Sequence, residues 1–546
     1  MRDKDRKLFD YVIVGAGSAG CVLAARLTED ADTKVLVLEA GGRDSDPLIH
    51  IPLGMGKMHE HRKHDWGFDS EPEPRLGGRV IEAMRGKVIG GSSSINVMAY
   101  VRGHRGDYDR WAQKGCRGWS YTDILPYMRR CEDWEGGEDP YRGKGGPITT
   151  QWAKNDDPLL QDWAQACVEA GYALTDDYNG GTPEGFGVSQ STQRGGRRCS
   201  AAVGYLYPAM SRPNLTVASN ACATRILLEG SKAVGIEYEQ NGTIVQARAE
   251  REVLLAGGVF GSPQLLMLSG IGPAGHLKEV GITPVLDLAG VGKNLQDHLA
   301  VLVHYTRPEG GKFRELMRFD RIALAMARAW LFKSGPATVL PGGLHGFLRS
   351  RPELAVPNLQ FLFRGAPPGA HMWFPGIKPP YLDGFGMRPV LLHPESRGEV
   401  KLRSANPKDK PRIIQNFLDS PNDLPVLREG VKIIRDIIGQ KPLDRWRGIE
   451  VTPGADVKSD ADIEAWIRKT AITAHHPSCT CPMGITEDAV LDPELKVRGA
   501  ENLRVVDAAA MPDLVSGNIN ACVLMLAEKA SDMIRGRAPL PAATGV

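Results

Sequence analysis

The sequence has no excess of charge of either sign and no long hydrophobic run. Its 546 residues include 67 Lys and Arg and 65 Asp and Glu, which gives a formal net charge of +2. This balance gives no reason to expect a nucleic acid or another polyanion as a partner. Because no apolar run approaches about 20 residues, we predict no membrane span.

The chain also lacks the patterns of secretion and of metal binding. No apolar stretch typical of a signal peptide precedes the first apolar run, so none is predicted. The cysteines number nine, an odd count that favours free thiols in a reducing compartment. Cys479 and Cys481 have no second Cys or His pair at zinc-like spacing, so we predict no metal site. We expect a cytoplasmic protein, with peripheral attachment at the inner membrane as the alternative.

What the sequence does contain is a strand, three glycines and a helix near its beginning. Residues 11–14 are an apolar run that predicts a buried strand, and Gly15, Gly17 and Gly20 follow at the spacing G-x-G-x-x-G. Gly15 would allow a tight turn, Gly17 the close approach of a pyrophosphate, and Gly20 close packing of the helix on the strand.

The next part of this pattern completes a nucleotide site. A helix-compatible run over residues 21–28 follows the glycines, and its N-terminus would offer free N–H groups to phosphates. Glu39, followed by Ala40, ends the next apolar run and can hydrogen-bond both hydroxyls of a ribose. The pattern predicts a dinucleotide site, and this stretch alone leaves open which dinucleotide it binds.

Hydrophobic periodicity predicts further elements along the chain. Residues 214–258 are expected to be β-rich, with separate strands at 244–249 and 251–255. Ser262 followed by Pro263 predicts the start of a helix over 264–268. Strands expected between residues 358 and 402 are predicted to form a mixed sheet, and residues 424–438 and 521–534 to form helices.

Several motifs together resemble the glucose–methanol–choline (GMC) oxidoreductase family of flavoproteins. They occur in the family's order at residues 10–42, 86–96, 258–272, 292–298, 476–484 and 503–520. The resemblance implies an α/β fold with a discontinuous Rossmann-like FAD-binding domain and a mixed α+β substrate-binding (cap) domain. The FAD-binding domain would comprise residues 1–155, 214–300 and 490–546, and the cap residues 156–213 and 301–489.

The resemblance also implies the cofactor and the residues that hold it. FAD would be held by Gly15, Gly17, Ser18, Ala19, Gly20, Glu39, Ala40, Gly90, Gly91, Ser92, Asn96, Ala223, Asp507, Ala508 and Asn520. Some relatives attach FAD through a histidine at the position that matches Ile95. An apolar side chain cannot form that bond, so we predict non-covalent FAD.

The same resemblance assigns a catalytic pair. Oxidation of an alcohol needs a base for the hydroxyl proton, and histidine suits this near neutral pH. His476 matches the base, with His475 as the rival, and Asn518 matches the residue that would fix the substrate hydroxyl, with Asn520 as its rival. His298 and His345 are expected to be structural. Trp373 and Phe374 are predicted either to line the substrate pocket or to pack in a surface loop.

The resemblance implies oxidation of a primary or secondary alcohol by hydride transfer to flavin N5. Electrons would pass to a quinone or a carrier, as in a dehydrogenase. The alternatives are an oxidase that reduces O2 to H2O2 and, from another class, an FAD-containing lyase of the same fold. The choline dehydrogenase-like members are the most similar, but no aromatic cage and carboxylate for an ammonium group can be identified. A less polar alcohol is therefore an equal candidate.

Overall fold

A computed structural model describes residues 8–546 of the chain. The prediction that no signal peptide is present concerns a segment that lies largely outside these residues. The helices are α1 Ser18–Leu27, α2 Pro47–His50, α3 Met55–Glu60, α4 Arg105–Gln113, α5 Tyr121–Cys131, α6 Leu159–Glu169, α7 Tyr207–Ala209, α8 Gly258–Leu268, α9 Ala274–Glu279, α10 Lys312–Leu316, α11 Phe319–Phe332, α12 Asp423–Gly439, α13 Asp460–Thr470 and α14 Asn520–Ile534.

The strands are short except in two sheets. In chain order they are β1 Leu8–Val14, β2 Val35–Glu39, β3 Glu132–Trp134, β4 Ile148–Trp152, β5 Gly185–Val188, β6 Gln190–Arg194, β7 Arg197–Arg198, β8 Leu215–Ser219, β9 Ala221–Glu229, β10 Lys232–Gln240, β11 Thr243–Leu255, β12 Ile271–Gly272, β13 Leu286–Asp287, β14 Leu299–Ala300, β15 Val303–Thr306, β16 Leu344–Leu348, β17 Leu359–Arg364, β18 Gly384–Leu391, β19 Glu399–Lys401, β20 Arg412–Ile414, β21 Glu450–Thr452, β22 Ile472–Thr473 and β23 Leu503–Val505.

The first sheet brings together strands that lie far apart in the chain. Its order is β8-β2-β1-β11-β10-β9, and β23 also pairs with β11. The strands β8, β2, β1, β11 and β23 run parallel, while β9, β10 and β11 form antiparallel pairs. Helices α1 and α14 pack against each other beside this sheet. Buried parallel strands of this kind are largely apolar, as residues 35–38 of β2 are here.

The long strand β11 differs from the prediction of two strands. It runs without a break over 13 residues, because Arg248 and Ala249 pair with β1 and the ladder continues from Glu252 to Leu255. The charged residues around 250–252 interrupt the hydrophobic pattern, and the register with β1 shifts there, but the strand continues. The predicted boundary at residue 250 is therefore wrong.

The second sheet has the order β21-β15-β18-β17-β16-β5, extended by β14 and β22. Its neighbouring strands run antiparallel, so the predicted mixed sheet is wrong. Helix α12 packs on β17 and β18, with Leu427, Val431 and Ile434 in the core on that side. The opposite face of this sheet lines the cavity described below.

The boundaries predicted from the sequence between the FAD-binding domain and the cap stay a prediction.

Helix α8 begins earlier than its sequence suggests. It starts at Gly258 and contains Pro263 in its interior, instead of beginning at Ser262. The hydroxyl of Ser262 is turned toward Asp507 Oδ2, to which it donates at 2.6 Å. Tertiary pairing with the segment after β23 therefore outweighs the weak helix propensity of the glycines that open this helix.

A fully buried carboxylate joins two arginines near β3. Glu132 on β3 accepts hydrogen bonds from Arg102 and from Arg142, and Thr150 donates to it at 2.8 Å. Burial by itself raises the pKa of Glu132, but the two guanidiniums outweigh it and lower the pKa to about 2. Such a cluster depends on every member, since removal of one charge leaves the others buried and unpaired.

We expect Glu132→Gln to lower the free energy of unfolding by about 3 kcal/mol, because it leaves buried Arg102 without a counter-charge and Arg142 with Asp177 alone. Since the folded pKa lies below the ordinary value of 4.5, this contribution is fully present above pH 4.5 and is lost as the pH falls toward 2. Urea denaturation at several pH values measures it. The exposed Glu309→Gln is the control, and equal stabilities of the two variants would contradict the prediction.

Candidate active site

One cavity of about 1370 Å³ is lined by residues from both sheets. Every cofactor-binding residue predicted from the sequence lines it except Gly20 and Gly90. Those two glycines shape the backbone instead. A Cβ on Gly20 would lie 1.8 Å from the Gly15 oxygen, and Gly90 has a φ of +87°. The cavity exceeds the usual size for one drug-sized ligand, so it has room for a cofactor and a substrate.

Two glycine turns approach each other at the floor of the cavity. Gly15 has a φ of +103°, and a Cβ at that position would lie 2.4 Å from the Ala256 oxygen. A Cβ on Gly91 would lie 2.7 Å from the Cα of Gly17. Side chains are thus excluded from both turns, which leaves exposed backbone where a pyrophosphate is predicted to bind.

Two helix N-termini meet beside these turns. Ser18, in the first turn of α1, donates from its hydroxyl to Asn520 Oδ1 of α14 at 2.7 Å. Both residues line the cavity. The positive ends of α1 and α14 therefore face the same space, which favours negative charge there.

Glu39 lies buried at the end of β2. Its carboxylate accepts from the backbone N–H groups of Ala16 at 2.9 Å and of Gly41 at 2.8 Å. Burial raises the pKa of Glu39 to about 7, against the opposing effect of these two bonds. Further donors on a ligand, such as ribose hydroxyls, would stabilise the ionised form in this position.

Asp507 ties the segment after β23 to the start of α8. Its Oδ2 accepts from Gly258 N at 2.8 Å and from Ser262 Oγ, and its Oδ1 accepts from Ala509 N at 2.7 Å. Asp507 and Ala508 both line the cavity. The carboxylate is fully engaged with the protein, so it holds this part of the cavity wall in place.

His476 lies at the centre of a chain of hydrogen bonds. Its Nδ1 is 3.0 Å from His298 Nδ1, and its Nε2 is 2.9 Å from Asn518 Nδ2. His298 Nε2 is in turn 3.1 Å from the carbonyl oxygen of Leu392. The backbone N–H of His476 donates to Asp297 Oδ1 at 2.9 Å. Ring position and ring orientation are both fixed by these contacts.

The Leu392 carbonyl determines where the protons lie in this chain. A carbonyl only accepts, so His298 must donate from Nε2. In neutral His298 the Nδ1 then accepts, and His476 must donate to it from Nδ1. His476 Nε2 is left with its lone pair, which accepts from the Asn518 amide. Burial lowers the pKa of His298 to about 3 and that of His476 well below its usual range, so both rings are neutral.

Asn518 is oriented by a glutamine of the second sheet. Gln360 Nε2 donates to Asn518 Oδ1 at 3.2 Å, which directs the Asn518 Nδ2 toward His476. Sequence reasoning found His476 and Asn518 but missed Gln360, because a lone Gln in a strand carries no recognisable signal. His298 was expected to be structural, yet it contacts the candidate base directly.

His475 also lines the cavity, but its geometry differs from that of His476. Its backbone lies in the left-handed region with a φ of +64°, and Arg85 Nη2 donates to its carbonyl at 2.9 Å. Its Nδ1 is buried without a partner, and burial lowers the pKa of the ring to about 3. No hydrogen-bonded histidine holds this ring, in contrast to His476.

The remaining predicted positions fall in different places. His345 lines the cavity beside Tyr178. Trp373 and Phe374 lie outside the cavity lining; the Trp373 indole donates to the Arg314 carbonyl at 2.8 Å. Their role is therefore loop packing. No three His, Cys, Asp or Glu side chains in residues 8–546 are arranged to hold a metal ion. No helix in that range has the length and apolar character needed to cross a bilayer.

The sequence model of the GMC oxidoreductases matches residues 9–300 and 394–527 of this chain. The chain is 45% identical to an oxygen-dependent choline dehydrogenase of Brucella ovis over 97% of its own length and 96% of that protein. It is 44% identical to the mitochondrial choline dehydrogenase of Homo sapiens, over 98% and 91% of the two chains.

Solved structures of the same fold include two oxidases. A pyridoxine 4-oxidase from Mesorbium loti has a TM-score of 0.87 at 31% identity, covering 97% of this chain and all of that one. A formate oxidase of Aspergillus oryzae, in a study of FAD modification, has a TM-score of 0.90 at 28% identity, covering 97% and 98%. The chain belongs to the GMC oxidoreductase family. The family and the fold class predicted from the sequence are thus confirmed.

The hydrogen-bond chain predicts a fixed tautomer for His476. We expect protonated Nδ1 and unprotonated Nε2 to persist from pH 8 to below pH 6.5, since burial and the neighbouring His298 lower the pKa of the ring. Nitrogen NMR of the ¹⁵N-histidine-labelled protein, assigned with His476→Gln, measures this state. In His298→Leu the Nδ1–H loses its acceptor, and we expect the two nitrogen shifts to average. Titration of His476 near pH 6.5 in the wild type would contradict the prediction.

Proposed function

We propose that this protein oxidises a primary or secondary alcohol to the carbonyl with non-covalently bound FAD, His476 serving as the base. The observation that carries the proposal is the hydrogen-bond chain that leaves the His476 Nε2 lone pair directed at Asn518 inside the cavity. Relatives named choline dehydrogenase, alike over nearly the whole chain, support the same reaction class.

The residues of the cavity fit FAD. Side chains are excluded at Gly15 and Gly91, and the N-termini of α1 and α14 favour anionic groups. Glu39 would meet the ribose. Ile95 is packed in an apolar cluster with Ile49, Met58, Met84 and Val88, which agrees with a cofactor that is not attached at this residue. When bound, FAD supplies the acceptor for the hydride that leaves the alcohol carbon.

Side chains of this protein would bind the substrate hydroxyl and remove its proton. An alcohol that replaces the direct contact between His476 and Asn518 can donate to His476 Nε2 and accept from Asn518 Nδ2. His476 then removes the proton as the hydride leaves. His298 retains the hydrogen bond from His476 Nδ1 throughout, so the ring cannot rotate or change tautomer. The dry surroundings strengthen each of these interactions.

We expect His476→Ala to retain FAD but to lose alcohol-dependent reduction of the flavin by a factor of 10² to 10⁴, as about that much is contributed by a general base. Anaerobic bleaching of the flavin band with a panel of alcohols measures it. His61→Ala, exposed and outside the cavity lining, is the control. A larger loss in His475→Ala would transfer the role to His475. No bleaching of the wild type by any alcohol would favour the lyase alternative.

We further propose a quinone in a membrane as the electron acceptor, reached by peripheral binding. Helix α11 lines the cavity with Ile322 and Met326 and exposes Leu324, Leu331 and Phe332 on its other side, each more than 65% accessible. Ile377 and Leu382 add to the exposed apolar surface. Basic residues flank it at Arg321, Arg328 and Lys333. An apolar helix face with basic flanks suits an anionic lipid surface.

We expect the variant Leu324→Ser/Leu331→Ser to bind anionic vesicles about 10-fold more weakly, because each leucine contributes apolar area at the interface. Vesicle flotation with phosphatidylglycerol measures it, with the exposed Ile244→Ser as control. Turnover with a ubiquinone analogue should exceed turnover in air without it. Abundant peroxide with no gain from quinone would favour the oxidase alternative.

A further inference from the structure

The face of the second sheet that is turned to the cavity carries arginine side chains. Leu362 pairs with Arg388, and Arg364 pairs with Gly386. Paired residues of antiparallel strands share a face, as do residues two apart on one strand. Arg364 and Arg388 therefore lie on the same face as Gln360, the residue that orients Asn518. Both arginines line the cavity.

These two guanidiniums have no counter-charge in residues 8–546. The side chain of Arg364 donates from Nε to the Ala366 carbonyl at 3.0 Å, and no carboxylate is near enough to affect either arginine. Arg388 Nε is buried with no hydrogen-bond partner. The arrangement contrasts with Arg102 and Arg142, whose charges are matched by Glu132.

Both groups remain cationic at neutral pH. Burial, and then the proximity of Arg364, lowers the pKa of Arg388 to about 10. Two like charges that face the cavity without a counter-charge destabilise each other. An anion placed between them would relieve both the desolvation and the mutual repulsion.

The acidic residues that line the cavity lie elsewhere. Glu39 bonds to the N–H groups of Ala16 and Gly41, and Asp507 holds the start of α8. Glu60 is exposed and paired with Lys57. None of the three is on the second sheet, whose cavity-facing side carries the arginines.

Aromatic residues likewise do not form a cage at this wall. Trp66 stacks on Phe68, which meets the edge of Phe260 at the start of α8. Phe363 packs edge-on against Trp163 of the core, although part of it also borders the cavity. A quaternary ammonium group, which needs aromatic faces or a carboxylate, would instead meet Arg364 and Arg388 here.

We propose that the substrate is an alcohol that carries a carboxylate, bound by Arg388 and Arg364, and that choline is disfavoured. The inference rests on the proposed function, because it identifies which alcohol the same site takes. A guanidinium presents parallel N–H groups that match the two oxygens of a carboxylate. The carbinol end would lie at His476 and Asn518.

The register sets the separation between the two ends of the substrate. Gln360, which bonds Asn518, is paired with Val390. Arg388 precedes Val390 by two residues on β18, so it lies one two-residue step along the sheet from Asn518. That step is about 7 Å. Arg364 lies a further step along from the pair of Leu362 and Arg388. A short alkyl chain between hydroxyl and carboxylate therefore fits, and 6-hydroxyhexanoate is a suitable probe.

Binding tests the anion site without any reaction. Hexanoate has no hydroxyl group and cannot be oxidised, so its affinity for the FAD-loaded protein, measured by calorimetry, is independent of turnover. We expect hexanoate to bind at least 10-fold more tightly than 1-hexanol. Arg388→Met should weaken hexanoate binding about 10- to 100-fold, with partial recovery in Arg388→Lys. Arg117→Met, exposed and outside the cavity lining, is the control and should bind hexanoate as the wild type does.

Turnover tests whether the anion site serves the substrate. The measured quantity is the ratio of kcat/KM for 6-hydroxyhexanoate to that for 1-hexanol. We expect a ratio above 10 in the wild type and in Arg117→Met, falling toward 1 in Arg388→Met. Retention of the ratio in Arg388→Met would overturn the proposal. So would a wild-type preference for choline, or hexanoate binding no tighter than that of 1-hexanol.

The two proposals fail in different ways. If 1-hexanol and choline reduce the flavin while 6-hydroxyhexanoate does not, alcohol oxidation stands and the carboxylate-bearing substrate is refuted. If no alcohol reduces the flavin although hexanoate binds through Arg388, the proposed function is refuted and the assignment of the substrate falls with it.

Discussion

A carbonyl oxygen accepts hydrogen bonds and never donates them, and the candidate active site depends on that asymmetry at Leu392. This carbonyl follows the last residue of β18, where the second sheet ends. It fixes the donor atom of His298, which fixes the donor atom of His476, and so presents an unprotonated nitrogen to the cavity. No ionised partner is needed. The second sheet thus governs the protonation pattern at the site as well as its shape.

The same sheet separates two kinds of environment. On one side β17 and β18 pack against α12 in an apolar core. On the other they present Gln360, Arg364 and Arg388 to the cavity. Because side chains alternate along a strand, a single pair of strands can satisfy both requirements. The first sheet contributes the glycine turns and helix N-termini, where backbone groups face the cavity in place of side chains.

The parts that sequence reasoning anticipated are local. The nucleotide-binding pattern of β1, its glycines, α1 and Glu39 lies within about thirty residues. The family and the fold class follow from short motifs of the same kind. The predicted ends of helices and strands were wrong where contacts with distant parts of the chain determine them. The start of α8 is set by Asp507, some 250 residues away, and β11 continues because β1 pairs with it. The contacts of His298 and Arg388 with the site were not predicted, because they form only when distant segments of the chain come together.

Strand β11 has a consequence for the order in which the chain is made. Its last residues pair on one side with β1, which is made well before it, and on the other with β23, which is made about 250 residues later. During synthesis of the residues between β11 and β23, that side of the central sheet is an open edge. An unpaired edge strand can associate with other chains. The nascent protein must therefore be shielded until β23 has been made, and truncation before β23 would expose the sheet as well as remove Asn518.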